Sequence, residues 1–171
     1  MEQNVTPMNV GMKYGVILGV IGIVIGLLFH YTGVNEATIT NSSLSVVTWI
    51  TPNVIIFIIL YLALKFLREN NEGILSFGQG LSTSMFVGLF SGLIVAIFTY
   101  VFFTYIAPDF MEKAIEIAME EQDLSEEELE ASQGFMKAFT SPIFASFWAF
   151  ISRIFAVLIL GSIASAMLKK E

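Results

Sequence analysis

The sequence predicts an all-α integral membrane protein built on four transmembrane helices. Three observations carry that prediction. Hydrophobic residues make up 56% of the chain and charged residues only 13%, about half the charged share of a typical soluble domain. The apolar residues come in four long blocks rather than at amphipathic spacing, the pattern of helices that have lipid as solvent. The charge is local: of 15 acidic residues, ten lie between Asp109 and Glu130, so the net charge of −7 describes one segment and not the whole chain.

The first 12 residues are polar and are expected to fray. Span one covers about residues 14–34, from Tyr14 to Val34, a rise of ~31 Å as a helix, or one hydrocarbon core. It reads as an uncleaved span. A single Lys13 is set against Glu2, and no small-x-small cleavage site follows Val34. Asn35 to Ser45 form a polar loop without Lys or Arg. Its Asn41-Ser42-Ser43 matches a glycosylation triplet, of a kind that often arises by chance. Span two covers about residues 46–67. Proline is tolerated in a first helical turn, so the regular helix is expected to begin at Pro52, with Leu44 to Thr51 as an interfacial approach carrying Trp49.

A polar loop with Arg68, Glu69, Glu72 and Gly73 leads to span three, about residues 81–106, which Pro108 stops. Residues 108–139 then read as two amphipathic helices, an extracytoplasmic hairpin. Pro108 suits a first helical position, with Asp109 and Glu112 in the first turn. Ser125 and Glu128 form a capping-box pattern that opens the second helix. Span four covers about residues 142–168 and ends in Lys169-Lys170. The whole chain, 1–171, is expected to be one membrane domain. Lys13, Lys65, Arg68, Lys169 and Lys170 fall on one side of the spans, and Lys113 and Lys137 on the other. The positive-inside rule therefore predicts cytoplasmic N and C termini.

Composition removes several functions. There is no cysteine, which excludes disulfides, thiolate catalysis and cysteine-held metals. A single histidine, His30, cannot build a multi-histidine metal site. No nucleotide loop, catalytic triad, pair of intramembrane carboxylates or basic patch for nucleic acid is present. No cofactor is expected, and no enzymatic activity. The acidic segment lacks the ligand spacing of a calcium loop and reads as a solvated helical face.

Small residues form two stripes. In span one, Gly11, Gly15, Gly19, Gly22 and Gly26 share a face; in span three, Gly80, Ser84, Gly88, Gly92 and Ala96 recur every fourth residue. Small residues let helix backbones approach closely in lipid. Packing of span one on span three is the simpler reading, and a homodimer face is the other.

Arg153, twelfth in span four, is the most informative single residue. A charge near mid-bilayer costs about +3 kcal/mol on the insertion scale, and about a dozen apolar residues returning about −0.5 each still let the helix insert. Its helical neighbours Ser146, Ala149, Ala156 and Leu160 mark an inward face. No Asp or Glu lies within the spans, which leaves as partners the acidic segment folded back, Asn53 or Tyr100, or a lipid phosphate reached by snorkelling. Arg153 is thus either a structural tether or the core of an anion or lipid-headgroup site. Asn53 beside Pro52 reads as satisfying a kink, or else as lining a cavity. His30 beside Tyr31 reads as an interfacial anchor, with pH sensing chemically available.

The run Lys65-Phe66-Leu67-Arg68-Glu69-Asn70-Asn71-Glu72-Gly73-Ile74-Leu75-Ser76-Phe77-Gly78 leads into the glycine-spaced span three. Later, Tyr105-Ile106-Ala107-Pro108-Asp109-Phe110 precedes the acidic stretch. This resembles a family of four-span bacterial membrane proteins, frequent in Bacteroidota and catalogued as domain of unknown function 4199. The resemblance covers about Met12 to Lys170 and implies an inner-membrane location, without an activity or functional residues. Two classes of function follow from the residues. The first is a non-enzymatic scaffold, regulatory or assembly component working with membrane lipids and a membrane partner or a second copy. The second is a small transporter or channel component acting on an anionic or lipid-like ligand near Arg153. A cavity reaching Arg153 would favour the second, and a dry bundle the first.

Overall fold

The computed structural model describes residues 5–35, 41–113 and 141–170. Four long helices make it up: α1 (Pro7–Tyr31), α2 (Ser42–Glu69), α3 (Phe77–Val101, continued by a π-helical turn Phe102–Ile106) and α4 (Pro142–Leu168). Each is long and apolar enough to cross a membrane, with mean hydropathy between 2.1 and 2.3. The all-α four-span architecture read from the sequence is the one observed. The proposed hairpin lies almost wholly outside the described residues.

Local capping explains most of the boundaries. α1 begins seven residues before the expected start, so its N-terminal residues are helical rather than frayed. Thr6 caps it by accepting from the Asn9 N–H at 3.2 Å, and Pro7 follows at the first position. It ends at Tyr31, where Gly33 adopts a left-handed φ of 71°. α3 also starts early, at Phe77. Ser76 and Gln79 form a reciprocal capping box there, with bonds of 3.2 and 3.0 Å. At its far end the Ala107 N–H reaches back to the Phe102 carbonyl at 2.8 Å, giving the π turn before Pro108. Pro108 and Asp109 sit in a turn and residues 110–113 are helical, so Pro108 precedes this helix instead of opening it. α4 runs from Pro142 to Leu168 as expected, with Ser141 as its cap.

α2 corrects the expectation at Pro52. The helix does not begin there; it starts at Ser42, capped by Asn41, and runs through the proline. Side chains around the break bond the helix's own carbonyls. Thr51 Oγ1 donates to the Val47 carbonyl at 2.8 Å and Asn53 Nδ2 to the Trp49 carbonyl at 2.6 Å. Pro52 withdraws the helical donor from the Thr48 carbonyl, between those two, a break that membrane helices tolerate.

The helices pack in the ring order α1, α3, α4, α2, with α3 in extensive contact with both its neighbours and α2 more loosely held. Lipid offers no hydrophobic drive for helices to associate, so small residues let the backbones close in. A Cβ added at Gly15 would lie 2.8 Å from Phe90 Cβ and 3.0 Å from the Val87 carbonyl; one at Gly19 would meet Ile94 at 2.9 Å. The partner numbers rise together, so α1 and α3 are parallel. The small stripe of α3 faces α4 and not α1: Gly80 meets Ser165, Ser84 meets Gly161, Gly88 meets Val157 and Gly92 meets Phe150, in antiparallel order. The buried hydroxyls at this seam stay within their own helices. Ser84 donates to the Gly80 carbonyl at 2.9 Å and Ser165 to the Gly161 carbonyl at 2.6 Å.

Large apolar side chains cover the outside. On α4, Ile143, Phe147, Phe155, Ile163 and Met167 are exposed. In water this would be an aggregating patch; in a bilayer it is the lipid-facing surface. At one end of the bundle Leu75 and Lys170 pair through two backbone bonds of 3.0 and 3.1 Å. There too Lys13 Nζ lies 4.9 Å above the Phe66 ring.

Gly15→Ala is expected to push α1 off α3 and cost about 1–3 kcal/mol, as overpacking does. Gly26→Ala, whose Cβ would meet Phe98 at an ordinary 3.7 Å, should be neutral. Thermal unfolding of both variants in detergent checks the contrast; equal midpoints would contradict the packing.

Candidate functional site

Arg153 is the twelfth of the 27 residues of α4, about 16 Å along the helix axis from its start. The small residues Ala149 and Ala156 flank it on one helical face, leaving room for a long side chain to cross the bundle. It reaches α1: Nη2 lies 2.8 Å from where a Cβ on Gly22 would stand. Gly22 therefore makes the space that the guanidinium occupies. Gly22 also breaks the four-residue rhythm of its stripe, standing three residues after Gly19.

Two cavities meet at this side chain. One, of about 230 Å³, lies between α1 and α2 and extends from Leu18 and Gly22 past Gly26 and Phe29 to Asn35, just beyond α1. The other, of about 600 Å³, is a slot between α2 and α4, lined by Pro52, Asn53, Ile56, Val95, Ala156 and Leu160 among others. Arg153 and Pro52 border both. Trp49 and Ile159, 71% and 62% exposed, stand at the rim of the slot, so it opens sideways onto the lipid-facing surface.

Arg153 has no hydrogen-bond or ion-pair partner among the described residues, where the one ion pair is Lys65–Glu69 at 3.9 Å. Asn53, a candidate partner, shares the slot with Arg153, but its Nδ2 is engaged by the Trp49 carbonyl. Tyr100 is 41% exposed and lines neither cavity. His30 belongs to a separate aromatic cluster at the end of the bundle. Its ring lies 5.0 Å from Phe102, 5.3 Å from Tyr31 and 6.4 Å from Phe110. His30 Nδ1 is buried there without a hydrogen bond. Among the described residues no group of three acidic or histidine side chains could hold a metal.

Sequence reasoning did not find the part played by Gly22, nor that Pro52 walls both cavities. The broken glycine rhythm was the available sign for the first. For the second there was none, because the spaces depend on how loosely α2 sits.

Four helices long and apolar enough to cross a membrane define a multi-pass membrane protein. Residues 13–170 match the family described as "Protein of unknown function (DUF4199)", and the chain belongs to that family. No curated protein and no solved structure matches it.

Arg153→Leu is expected to leave the fold intact and to ease insertion of α4 by about 3 kcal/mol, because no partner is left unpaired. Apparent insertion free energy and the detergent unfolding midpoint test this. A strongly destabilised variant would show that Arg153 is a structural tether.

Proposed function

We propose that the protein binds an anionic, lipid-like ligand at Arg153 within the membrane, as a small carrier or a component of one. The observation that carries this reading is a guanidinium that lines two cavities and has no partner among the described residues. An ionisable side chain at this depth is expensive and in general serves a ligand or ion path. A binding pocket is also mostly apolar with a few convergent polar groups, as this one is. Arginine suits the role because its planar fork matches carboxylate or phosphate oxygens two at a time. The bound anion supplies a charge that the four spans lack: no Asp or Glu occurs in residues 3–35, 37–68, 73–108 or 131–168.

The ligand is bound without bond-making chemistry, since the site offers no acid–base pair. The basic residues Lys13, Lys65, Arg68, Lys169 and Lys170 favour an orientation with both termini in the cytoplasm. The protein then sits in the plasma membrane, the inner membrane of a bacterial cell. The whole chain acts as one membrane domain, alone or with a partner or second copy.

The scaffold reading has weaker support, because it gives the cavities and the charge no task. An alkyl phosphate added to the full chain in neutral detergent is expected to raise its unfolding midpoint, by about 2.7 kcal/mol of stabilisation at a hundredfold excess over Kd. The matching alkyl alcohol should have no such effect. Equal shifts for the two additives, or an undiminished shift in Arg153→Leu, would refute anion binding at Arg153.

A further inference from the structure

We infer that the ligand is an anionic acyl lipid held half inside the bundle. Its phosphate sits in the chamber at Arg153 and its chain leaves through the slot between α2 and α4. The inference rests on the anion-binding reading and adds the ligand's class, its pose and its way in.

The two cavities differ in size and in where they open. The chamber is small, about 230 Å³, and combines the guanidinium with Asn35 and Thr48. The slot is larger, about 600 Å³, and sets Asn53 and Ser152 beside the guanidinium among Ile56, Val95, Ala156, Ile159 and Leu160. Arg153 and Pro52 line both, so a head held at Arg153 has the slot directly beside it. The exposed rim at Trp49 and Ile159 faces the side of the bundle, not its end. A chain lying there exchanges lipid neighbours for apolar side chains at little hydrophobic cost. Selectivity then falls to the head, where a mid-depth cation without a carboxylate favours net negative charge. The charge also gains from leaving water far away: its attraction to phosphate strengthens as the surroundings become less polar.

A free phosphate offers the same head chemistry but leaves the slot unused, and this separates the two sources. Native mass spectrometry of the full chain in neutral detergent, with phosphatidylglycerol, phosphatidylcholine and glycerol phosphate as probes, makes the distinction. One phosphatidylglycerol should be retained, about tenfold more tightly than either other probe. Ser152→Trp, at the exposed rim, and Ala156→Phe, deeper in the slot, should each weaken phosphatidylglycerol about tenfold and leave glycerol phosphate as in the parent. Two variants at different depths guard against one failing to fold, which size-exclusion profiles reveal. Glycerol phosphate binding as tightly as the lipid, equal retention of phosphatidylcholine, or lipid binding unchanged in both folded slot variants overturns the lipid pose and leaves the anion site standing. Undiminished binding of all three probes by Arg153→Leu overturns both.

Discussion

Close approach of α3 to its two neighbours is the constraint on which the rest of the structure depends. Hydrocarbon outside the bundle removes the hydrophobic gain that drives soluble helices together. Contact must come from dispersion, which falls off steeply with distance. The glycines of α1 bring it onto Phe90 and Ile94 of α3, and the glycine and serine seam between α3 and α4 does the same on the other side. Three helices are thereby held as a tight sheet-like row, with α3 in the middle.

The fourth helix has no such seam. α2 offers Ile56, Leu60 and Leu64 to the interior and packs against α1 and α4 through larger side chains. Pro52 adds to the looseness, since it removes a backbone donor in mid-helix and forces Thr51 and Asn53 to bond locally. Side chains that bond their own helix are not available to knit it to a neighbour. The space between α2 and the other helices is therefore a consequence of where the glycines are and where they are not. The cavities open on both sides of Pro52 for this reason.

Much of this was legible in the residues. Hydropathy alone places four helices, and Pro142 to Leu168 reads correctly at both ends because Ser141-Pro142 and Lys169-Lys170 bracket it. The early starts of α1 and α3 were written in Thr6-Pro7 and Ser76–Gln79. Both are capping signals overshadowed by the polar residues around them. Pro52 misled because proline rules hold strictly for helices in water. In a membrane helix the break is tolerated, and α2 runs through it from Ser42 to Glu69. The candidate site divides similarly. Arg153 stands out as a charge in an apolar block, and its inward face follows from Ala149 and Ala156. Its lack of a partner among the described residues depends on how the helices pack, and Tyr100 lies on an exposed part of α3 beyond Val95, the α3 residue that borders the slot.

That lack of a partner has a physical logic. A buried Arg–carboxylate pair satisfies itself and leaves little attraction for anything else. An arginine facing an open chamber keeps its donors for a ligand, and the cost of placing it there is met in advance by the apolar remainder of α4. Gly22, by having no side chain, leaves the space on α1 that the guanidinium occupies, beside the two cavities that Arg153 lines. The same glycine stripe that locks α1 to α3 thus also sets where the charge can stand. Helix packing and the placement of Arg153 are therefore tied to one helix face, and a change to that face would alter both.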